Sequence, residues 1–413
     1  MGKKKNFFGK IFSVNDLSTH KEYSLGCIKL KLRSNITQFK KKYKNYPIQK
    51  NKILFNHHIG SYACNVKYIT EEILRQNLPY DLVWVVNHNF DKYKDDFPTN
   101  VRIVKAGTSE EVEEYSTAKI KIASDRQEHY IKNGIIKRSK QYYIQTFHGS
   151  LGIKKTGDDR EDANTKKHKY ALMDAKQIDY LISNGTYTTN FFKRIFWNHG
   201  TILEVGHPRN DIFFKDCSHI KEKVCKKLNI PTDKKIVMYA PTLREDRDLT
   251  CYTLDYEKII KVFKEKFGGE WILLTRLHPL ITDLQYKFSK QLDCVIDATN
   301  YSDMQELLAT CDALITDYSS CIYDFMLSRK PGFIFATDVK KYDNSRGLYY
   351  PLTSTPFPVA QNNDEMAENI KNFDNDKYLV EVDQFLKGKG CIDDGHASER
   401  VVELIKEIIS KEK

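Results

Sequence analysis

The sequence has little that would anchor it in a membrane or stabilise it outside a cell. No run approaches the ~20 consecutive apolar residues of a membrane-spanning helix. Nine cysteines are scattered without a C-x-x-C pair, and no apolar secretory signal with a small-residue cleavage site is apparent. Proline is sparse at 11 residues, while 40% of residues are hydrophobic. We therefore expect a folded globular protein with free thiols in a reducing cytoplasm.

Familiar nucleotide and metal motifs are also missing. The sequence contains no G-x-x-x-x-G-K-[ST] loop and no G-x-G-x-x-G turn, so ATPase and dinucleotide-binding functions lose their main support. It has no H-E-x-x-H and no D-x-D between apolar strands. We predict no cofactor, although Asp158, Asp159 and Asp317 leave a metal open. Arg, Lys and His side chains could supply positive charge instead.

Positive charge is in excess. The chain carries 66 Lys and Arg and a net charge of +11. Such a surface attracts nucleic acid, nucleotide phosphates or an anionic membrane face, or it reflects ordinary solvated lysines. The start, "MGKKKNFFGKIF", mixes basic residues with Phe7, Phe8, Ile11 and Phe12 and would suit a membrane surface; a frayed terminus is the alternative. Without Ser or Thr at position 6, myristoylation is not predicted.

The length of 413 residues favours two domains of roughly 150 to 200 residues each. Short apolar runs alternate with helical patterns, which indicates parallel sheets covered on both faces. The first series is "KILF" at 52, "DLVWVV" at 81, "VRIVK" at 101, "KIKIAS" at 119, "YYIQTF" at 142, "DYLIS" at 179 and "TILEVG" at 201. The second is "IVMYAP" at 236, "WILLT" at 271, "CVIDA" at 294, "ALIT" at 313 and "PGFIFA" at 331.

We therefore divide the chain into four parts: a basic N-terminal segment (1–48), an N-terminal α/β domain (49–218), a C-terminal α/β domain (219–395) and a terminal helix (396–413). The first segment is too basic and mixed to assign further. The helix has apolar residues at helical spacing, and Ser398 is its predicted N-cap. Because ligands bind outside the carboxyl ends of parallel strands, two such domains predict a cleft between them.

"YYIQTFHGSLGIKK" places His148 directly after a strand-like run. Gly149 allows close backbone approach to a ligand, and Lys154 and Lys155 could hold phosphate oxygens. Histidine is the side chain best suited to taking a proton from a hydroxyl at neutral pH. A structural histidine that caps the next helix would explain the same residues.

Three strand ends of the second series carry polar groups suited to phosphate. They are Thr242 and Arg244 in "MYAPTLRED", Arg276 and His278 in "LLTRLHPLI", and Asp317, Ser319 and Ser320 in "ALITDYSS". Arginine offers bidentate donors, and hydroxyls with free N–H groups at a helix start form an anion site. Each has a plain alternative, such as Ser319 or Ser320 merely capping the helix, but three successive strand ends are less easily explained that way.

Read in order, eight segments resemble the CDP-glycerol glycerophosphotransferase family, the teichoic-acid primases and polymerases. They are "NHHIGSYACNVKYI", "QTFHGSLGIKKTG", "LISNGTYTTNFFKRIF", "VGHPRNDIFF", "YAPTLRE", "RLHP", "LITDYSSCIYDFMLSRKP" and "YDNSRGLYYPL". The resemblance covers roughly Asn51 to Leu352. It departs from the family at Phe147, where tryptophan is frequent, and at Leu243, where an aromatic residue is frequent.

This resemblance implies an α/β fold of the GT-B type, with two Rossmann-like parallel-sheet domains facing across a cleft. It implies transfer of glycerol phosphate or ribitol phosphate from CDP-glycerol or CDP-ribitol to a hydroxyl of a polyprenyl-linked or glycan acceptor. CMP would be released at the cytoplasmic face of the membrane. The essential histidines fall on His148 and His278. Further matches are Arg244, Asp317, Ser319 and Ser320 around the nucleotide. Arg209, Asn210 and Asp211 match the segment between the domains, where they are expected to line the cleft or contact the acceptor.

Two other functions remain to be weighed. The CMP-sialic-acid transferases of capsule synthesis also have an H-P pair and a later Ser-Ser pair, but the segment around His148 favours the glycerophosphotransferases. A non-catalytic basic protein on a membrane or nucleic acid would show spread positive charge without polar residues converging at strand ends. No aromatic-basic recognition motif is present, and we predict no nucleic-acid partner.

Overall fold

The structure is a computed structural model. It describes residues 12–17, 20–25, 28–33, 42–43, 45–57, 60–87, 93–156, 159, 165–195, 200–246, 248–278 and 292–411, with backbone alone for 12–33 and 165–168. The basic and aromatic start of the chain, residues 1–11, lies outside this part, as do Asp158 and Pro279. Apart from Phe12, the prediction that the start meets a membrane therefore concerns residues outside the described part.

The N-terminal half forms a seven-stranded parallel sheet in the order β10-β9-β8-β7-β4-β5-β6. Its strands are β4 (Gln49–Asn56), β5 (Asp81–Val86), β6 (Arg102–Lys105), β7 (Ala118–Ala123), β8 (Tyr142–Gln145), β9 (Tyr180–Ser183) and β10 (Thr201–Glu204). The apolar runs become strands because a sheet covered on both faces buries every side chain of a central strand. All seven predicted strands are confirmed.

The C-terminal half forms a six-stranded parallel sheet in the order β13-β12-β11-β14-β15-β16. Its strands are β11 (Lys235–Ala240), β12 (Trp271–Thr275), β13 (Val295–Asp297), β14 (Ala313–Thr316), β15 (Gly332–Phe335) and β16 (Val359–Ala360). The first five are confirmed predictions. The last has only two residues, too short for a pattern of apolar residues to reveal.

The segment that sequence reasoning left unassigned contains a small antiparallel sheet. Its strands are β1 (Phe12–Leu17), β2 (His20–Leu25) and β3 (Ile28–Arg33), paired in the order β1-β2-β3. Polar and charged residues interrupt the apolar residues here, so no continuous apolar run marks the strands. This sheet stands apart from the parallel sheets in the strand pairing.

Helices cover the two parallel sheets. They are α1 (Cys64–Arg75), α2 (Ser109–Thr117), α3 (Glu128–Lys132), α4 (Thr165–Ala175), α5 (Thr186–Ile195), α6 (Ser218–Leu228), α7 (Tyr256–Phe267), α8 (Met304–Thr310), α9 (Cys321–Phe325), α10 (Val339–Arg346), α11 (Asn363–Lys371), α12 (Asn375–Gly388) and α13 (Ala397–Ser410). The prediction of two Rossmann-like domains is confirmed. The exact domain boundaries, with the division at residues 218 and 219, stay a prediction.

The terminal helix α13 packs against the first sheet, although it follows the second in sequence. Val401, Val402 and Ile405 are buried in one cluster with Ile53 and Trp84. The predicted N-cap at Ser398 is wrong because Ser398 lies within the first turn of α13.

The cap is supplied instead by Asp211, far away in the sequence. One carboxylate oxygen of Asp211 accepts a hydrogen bond from the backbone N–H of Ala397 at 2.9 Å, and the other accepts from that of Ser398 at 2.8 Å. These bonds satisfy two of the N–H groups that a helix start leaves unpaired. The helix is therefore tied at its first turn to the segment that joins the two sheets.

Candidate functional site

A cleft of about 500 Å³ lies between the carboxyl ends of the two parallel sheets. His148 follows β8 and His57 follows β4, whereas Thr242 follows β11 and Arg276 follows β12. The loops after the parallel strands of one sheet thus lie together at one edge of that sheet. Eight predicted residues line the cleft: His148, Lys154, Arg209, Thr242, Arg276, His278, Ser319 and Ser320. Six do not: Gly149, Lys155, Asn210, Asp211, Arg244 and Asp317.

His148 is exposed to the cleft and has a fixed ring orientation. Its Nδ1 lies 2.9 Å from the backbone carbonyl oxygen of Ser124, at the end of β7. A carbonyl can only accept, so Nδ1 is the donor in this contact, and in the neutral tautomer Nε2 is the nitrogen that can accept a proton. This arrangement suits a general base that takes a proton from a hydroxyl.

The loop that carries His148 has an unusual backbone. Phe147 has φ of +53° and Leu151 has φ of +40°, values that residues with a Cβ seldom adopt. Asn65 stabilises the turn, because its side-chain N–H groups donate to the carbonyls of Phe147 at 2.9 Å and Thr146 at 3.3 Å. Backbone strain of this kind persists where surrounding contacts enforce it, and it is concentrated at functional sites.

Gly149 supports this loop without lining the cleft. A Cβ at residue 149 would lie 2.9 Å from a ring carbon of Phe147, too close for a larger side chain. The ring of Phe147 also lies 4.9 Å from the His148 ring, centroid to centroid. Phe147, one of the two departures from the family pattern, is therefore part of the packing that orients His148.

His278 lies across the cleft on the loop after β12. Partial burial lowers the pKa of its imidazole, and the nearby positive charges of Lys154 and Arg276 lower it further. At neutral pH the ring is therefore neutral and can donate one hydrogen bond to an anionic oxygen. His278 lines the cleft, and its contact with a phosphate stays a prediction.

Arg276 lines the cleft, but its guanidinium is engaged elsewhere. Its NH1 group donates to the carbonyl oxygens of Ala298 at 2.8 Å and Thr299 at 3.2 Å, as well as to that of Tyr301. Those carbonyls belong to the loop that leads to α8. We therefore assign Arg276 a role in holding this wall of the cleft.

Arg244 and Asp317 lie behind the cleft wall and bind one another. The NH1 group of Arg244 is 2.8 Å from an Asp317 oxygen, and its Nε and NH2 groups donate to Asp338 at 2.7 and 2.9 Å. Asp317 also accepts from the backbone N–H of Thr242 at 2.8 Å. We expected the guanidinium of Arg244 to bind phosphate. In this structure its N–H groups are already bound to the carboxylates of Asp317 and Asp338. Arg244 and Asp317 instead shape the strand-end loops.

Thr242 lines the cleft, unlike Arg244 and Asp317. Its Oγ1 is buried and has no hydrogen-bond partner within the described part of the chain, although the residue lines the cleft. A buried hydroxyl without a partner is costly unless a ligand or water satisfies it. Thr242 is thus suited to donating to a phosphate oxygen.

Ser319 and Ser320 precede the five-residue helix α9 and line the cleft. The Oγ of Ser319 is 3.4 Å from the backbone N–H of Cys321 and can accept from it weakly. Ser320 is the N-cap residue, yet its side chain makes no capping hydrogen bond. The Ser320 hydroxyl is therefore not committed to the helix.

The 3₁₀ segment Pro208–Phe214 joins the two halves. Arg209 is buried, lies 2.9 Å from Asp324 of α9 and donates to the Ser150 hydroxyl at 3.2 Å. Asn210 donates to Asp393 at 3.2 Å and accepts from Gln305 at 3.2 Å. The prediction that Asn210 and Asp211 line the cleft is corrected. Their side chains bind other parts of the chain instead, and they stabilise the contact between the two halves.

Sequence reasoning missed several residues of the site. His57 and Asp338 each follow a strand end, the same signal that identified His148, and could have been found by it. The buried ion cluster between the two halves could not have been found from the sequence. In it, the ammonium of Lys67 in α1 lies 2.6 Å from Asp303 and 2.5 Å from Glu306, all three buried. No local pattern marks a pair separated so far in sequence.

No group of three His, Cys, Asp or Glu side chains arranged to hold a metal ion occurs among the described residues. Basic and hydroxyl-bearing residues line the cleft, together with the carboxylate residues Glu245, Asp303 and Asp324. Two Rossmann-like sheets that face each other across such a cleft define the GT-B class of transferase architecture.

Comparison with known proteins gives the family. The family described as CDP-glycerol:poly(glycerophosphate) glycerophosphotransferase matches residues 38–407, and the chain belongs to it. The resemblance noted from the sequence motifs is thereby confirmed.

Two curated relatives are teichoic acid poly(glycerol phosphate) polymerases. The one from Staphylococcus epidermidis is 31% identical over 85% of this chain and 50% of its own length. The one from Bacillus subtilis is 31% identical over 87% of this chain and 49% of its own length. The chain thus spans about half the length of these relatives. The solved structure of the H548A variant of wall teichoic acid polymerase TagF matches with a TM-score of 0.79 and 29% identity, covering 91% of this chain and 95% of that one.

Proposed function

We propose that the protein transfers glycerol phosphate or ribitol phosphate from a CDP-linked donor to a hydroxyl of a lipid-linked or glycan acceptor, releasing CMP. Such a step belongs to the synthesis of teichoic acid or a capsule-type polymer. The observation that carries the proposal is the position of His148, whose proton is fixed on Nδ1 by Ser124, opposite Thr242 and His278 across one cleft. Membership of the glycerophosphotransferase family supports the choice of donor.

In the proposed reaction, Nε2 of His148 takes the proton from the acceptor hydroxyl. The oxygen attacks the phosphorus that bears the polyol, and the bond from that phosphorus to the CMP oxygen breaks. The electron pair leaves with CMP, and negative charge spreads over the phosphoryl and leaving oxygens. His278, Thr242 and the hydroxyls of Ser319 and Ser320 are placed to donate hydrogen bonds to that charge.

Arg244 and Asp317 serve the proposed reaction indirectly. Their ion pair fixes the Thr242 loop, because Asp317 binds the Thr242 backbone N–H and Arg244 donates to the Thr242 carbonyl at 2.6 Å. Fixed donors lose little freedom during the reaction, which is a large part of how enzymes stabilise charge.

We further propose that the protein works as a peripheral protein at the cytoplasmic face of the membrane, where a polyprenyl-linked acceptor would be met. The net charge of +11 favours an anionic surface. Within the described residues, no helix is long and apolar enough to cross a bilayer. Sedimentation with vesicles containing anionic lipid, compared with neutral vesicles, tests this part.

The deciding experiment offers CDP-glycerol and CDP-ribitol separately with a lipid-like acceptor. CMP release is measured, and the acceptor is weighed by mass spectrometry for an added polyol phosphate. We expect addition from one of the two donors. CMP release from neither would overturn the proposal, and release from CMP-sialic acid instead would favour a sialic-acid transferase.

A further inference from the structure

A short segment of the N-terminal half packs into the C-terminal half. Leu151 and Ile153, just after His148, are buried in the core of the second sheet. The hydroxyl of Tyr350 donates to the Leu151 carbonyl at 2.6 Å, and the backbone N–H of Tyr349 donates to that of Ile153 at 2.8 Å. Residue 154 bridges residue 348 as a short antiparallel pair. This crossing segment, residues 151–155, carries Lys154 to the nucleotide side of the cleft.

The arginines at and behind the cleft are already neutralised or bound. Arg209 is paired with Asp324 at 2.9 Å, Arg244 with Asp317 and Asp338, and Arg346 with Glu245 at 2.6 Å. Arg276 donates to backbone carbonyls. Each guanidinium therefore has a structural partner before any ligand arrives.

Lys154 differs from these arginines. Among the described residues, none accepts a hydrogen bond from its ammonium or forms an ion pair with it within 4 Å, yet the side chain is partly buried in the cleft wall. Burial lowers the pKa of Lys154, while the more distant Asp317 opposes that effect. Lys154 also contributes to the lowered pKa of His278, so the two side chains lie near each other. A desolvated cation without an ion-pair partner is unfavourable until an anion enters.

We propose that the ammonium of Lys154 binds the diphosphate of the CDP-linked donor, beside His278 and Thr242. The proposal rests on the function proposed above and adds a donor-binding residue supplied by the opposite half of the chain. An ammonium acts on phosphate as a compact charge with three donors. It would hold the diphosphate in the ground state and stabilise the charge that appears on the CMP oxygen as the bond to phosphorus breaks.

Lys155 provides the matched comparison. It adjoins Lys154 on the same segment, but it does not line the cleft, and its backbone N–H donates to Gly347 at 2.9 Å. The full-length protein would be prepared with Lys154→Met, Lys154→Arg and Lys155→Met. Binding of CDP and of cytidine would be measured by calorimetry.

We expect Lys154→Met to weaken CDP binding by about 10- to 100-fold, as for loss of a hydrogen-bonded charge. Cytidine, which has no phosphate, should bind as it does to the unaltered protein. Lys154→Arg should retain part of the CDP affinity, and Lys155→Met should change it by less than about twofold. Equal loss of CDP and cytidine affinity in Lys154→Met, or no loss of either, would overturn the assignment.

Binding and turnover separate this inference from the proposed function. If CDP binding depends on Lys154 but neither CDP-glycerol nor CDP-ribitol releases CMP, the reaction is wrong and the phosphate site stands. If CMP is released normally and Lys154→Met binds CDP unchanged, the site is wrong and the reaction stands. If the unaltered protein binds no CDP at all, both the phosphate site at Lys154 and the proposed reaction are wrong. Melting temperatures of the variants identify any loss of affinity that arises from unfolding.

Discussion

At the scale of single residues, the hydrogen bond from His148 to the Ser124 carbonyl determines which ring nitrogen can act. Replacing His148 with Asn removes the proton acceptor while keeping a polar side chain. We expect kcat for CMP release to fall by about 10²- to 10⁴-fold, with little change in the affinity for the donor. Steady-state kinetics with saturating acceptor measure both quantities.

His219→Asn is the control for this prediction. His219 is exposed on α6 and does not line the cleft, so its replacement should leave kcat within about twofold. Equal turnover by His148→Asn and the unaltered protein would contradict a general-base role. A fall in both variants would point to a loss of stability in place of chemistry.

Single residues also show how far the sequence could lead. His148, His278, Ser319 and Ser320 could be predicted because each follows a recognisable strand, and strand ends meet at one edge of a sheet. The partners of Arg244 could not, since Asp317 and Asp338 lie on other loops. The sequence shows that a positively charged side chain follows a strand. Whether a carboxylate pairs with that side chain depends on which loops the fold places beside it.

At the scale of elements, α13 depends on a cap from another segment. Asp211→Ala removes both acceptors of the Ala397 and Ser398 N–H groups, so we expect a loss of about 1–2 kcal/mol in the free energy of unfolding. Asp211→Asn retains one acceptor and should lose less. Urea denaturation followed by circular dichroism measures the difference.

Asp233→Ala gives the reference for that experiment. The Asp233 side chain is 76% exposed, and its nearest cation, Lys234, is 3.9 Å away. We expect a change of no more than about 0.5 kcal/mol there. If Asp211→Ala were equally mild, the carboxylate would not be the cap that stabilises α13.

The sequence predicted the strands correctly where both faces of the sheet are covered, and it did not reveal the strands of the small antiparallel sheet. Strands β4 to β15 of the parallel sheets were recognisable as apolar runs. In contrast, polar and charged residues interrupt β1 to β3, and β16 is only two residues long. The wrong N-cap at Ser398 has a related cause. A serine near a helix start is a local signal, but the N–H groups there were satisfied by Asp211, which no local signal reveals.

At the scale of the whole molecule, the two halves are joined by buried charge. Lys67→Met leaves Asp303 without this cation and weakens the neutralisation of Glu306. We expect a loss of about 3–5 kcal/mol in the free energy of unfolding, the usual cost of breaking a buried pair from one side. Chemical denaturation measures it, and the double variant Lys67→Met with Glu306→Gln should recover part of the loss.

Lys223→Met is the comparison within the same cluster. Lys223 also contacts Glu306, at 2.7 Å, but its side chain is 49% exposed. Water screens that pair, so we expect a loss of about 0–1 kcal/mol. Similar losses in Lys67→Met and Lys223→Met would contradict the view that the buried pair stabilises the contact between the two halves.

The crossing of segments between the halves has a consequence for synthesis on the ribosome. The core of the first sheet contains Val401, Val402 and Ile405 of α13. These residues are translated only after all strands of the second sheet. The first sheet must therefore wait with an uncovered apolar face while the second is made. The first half is therefore translated before the second half, but its core is completed only after the second half has been made.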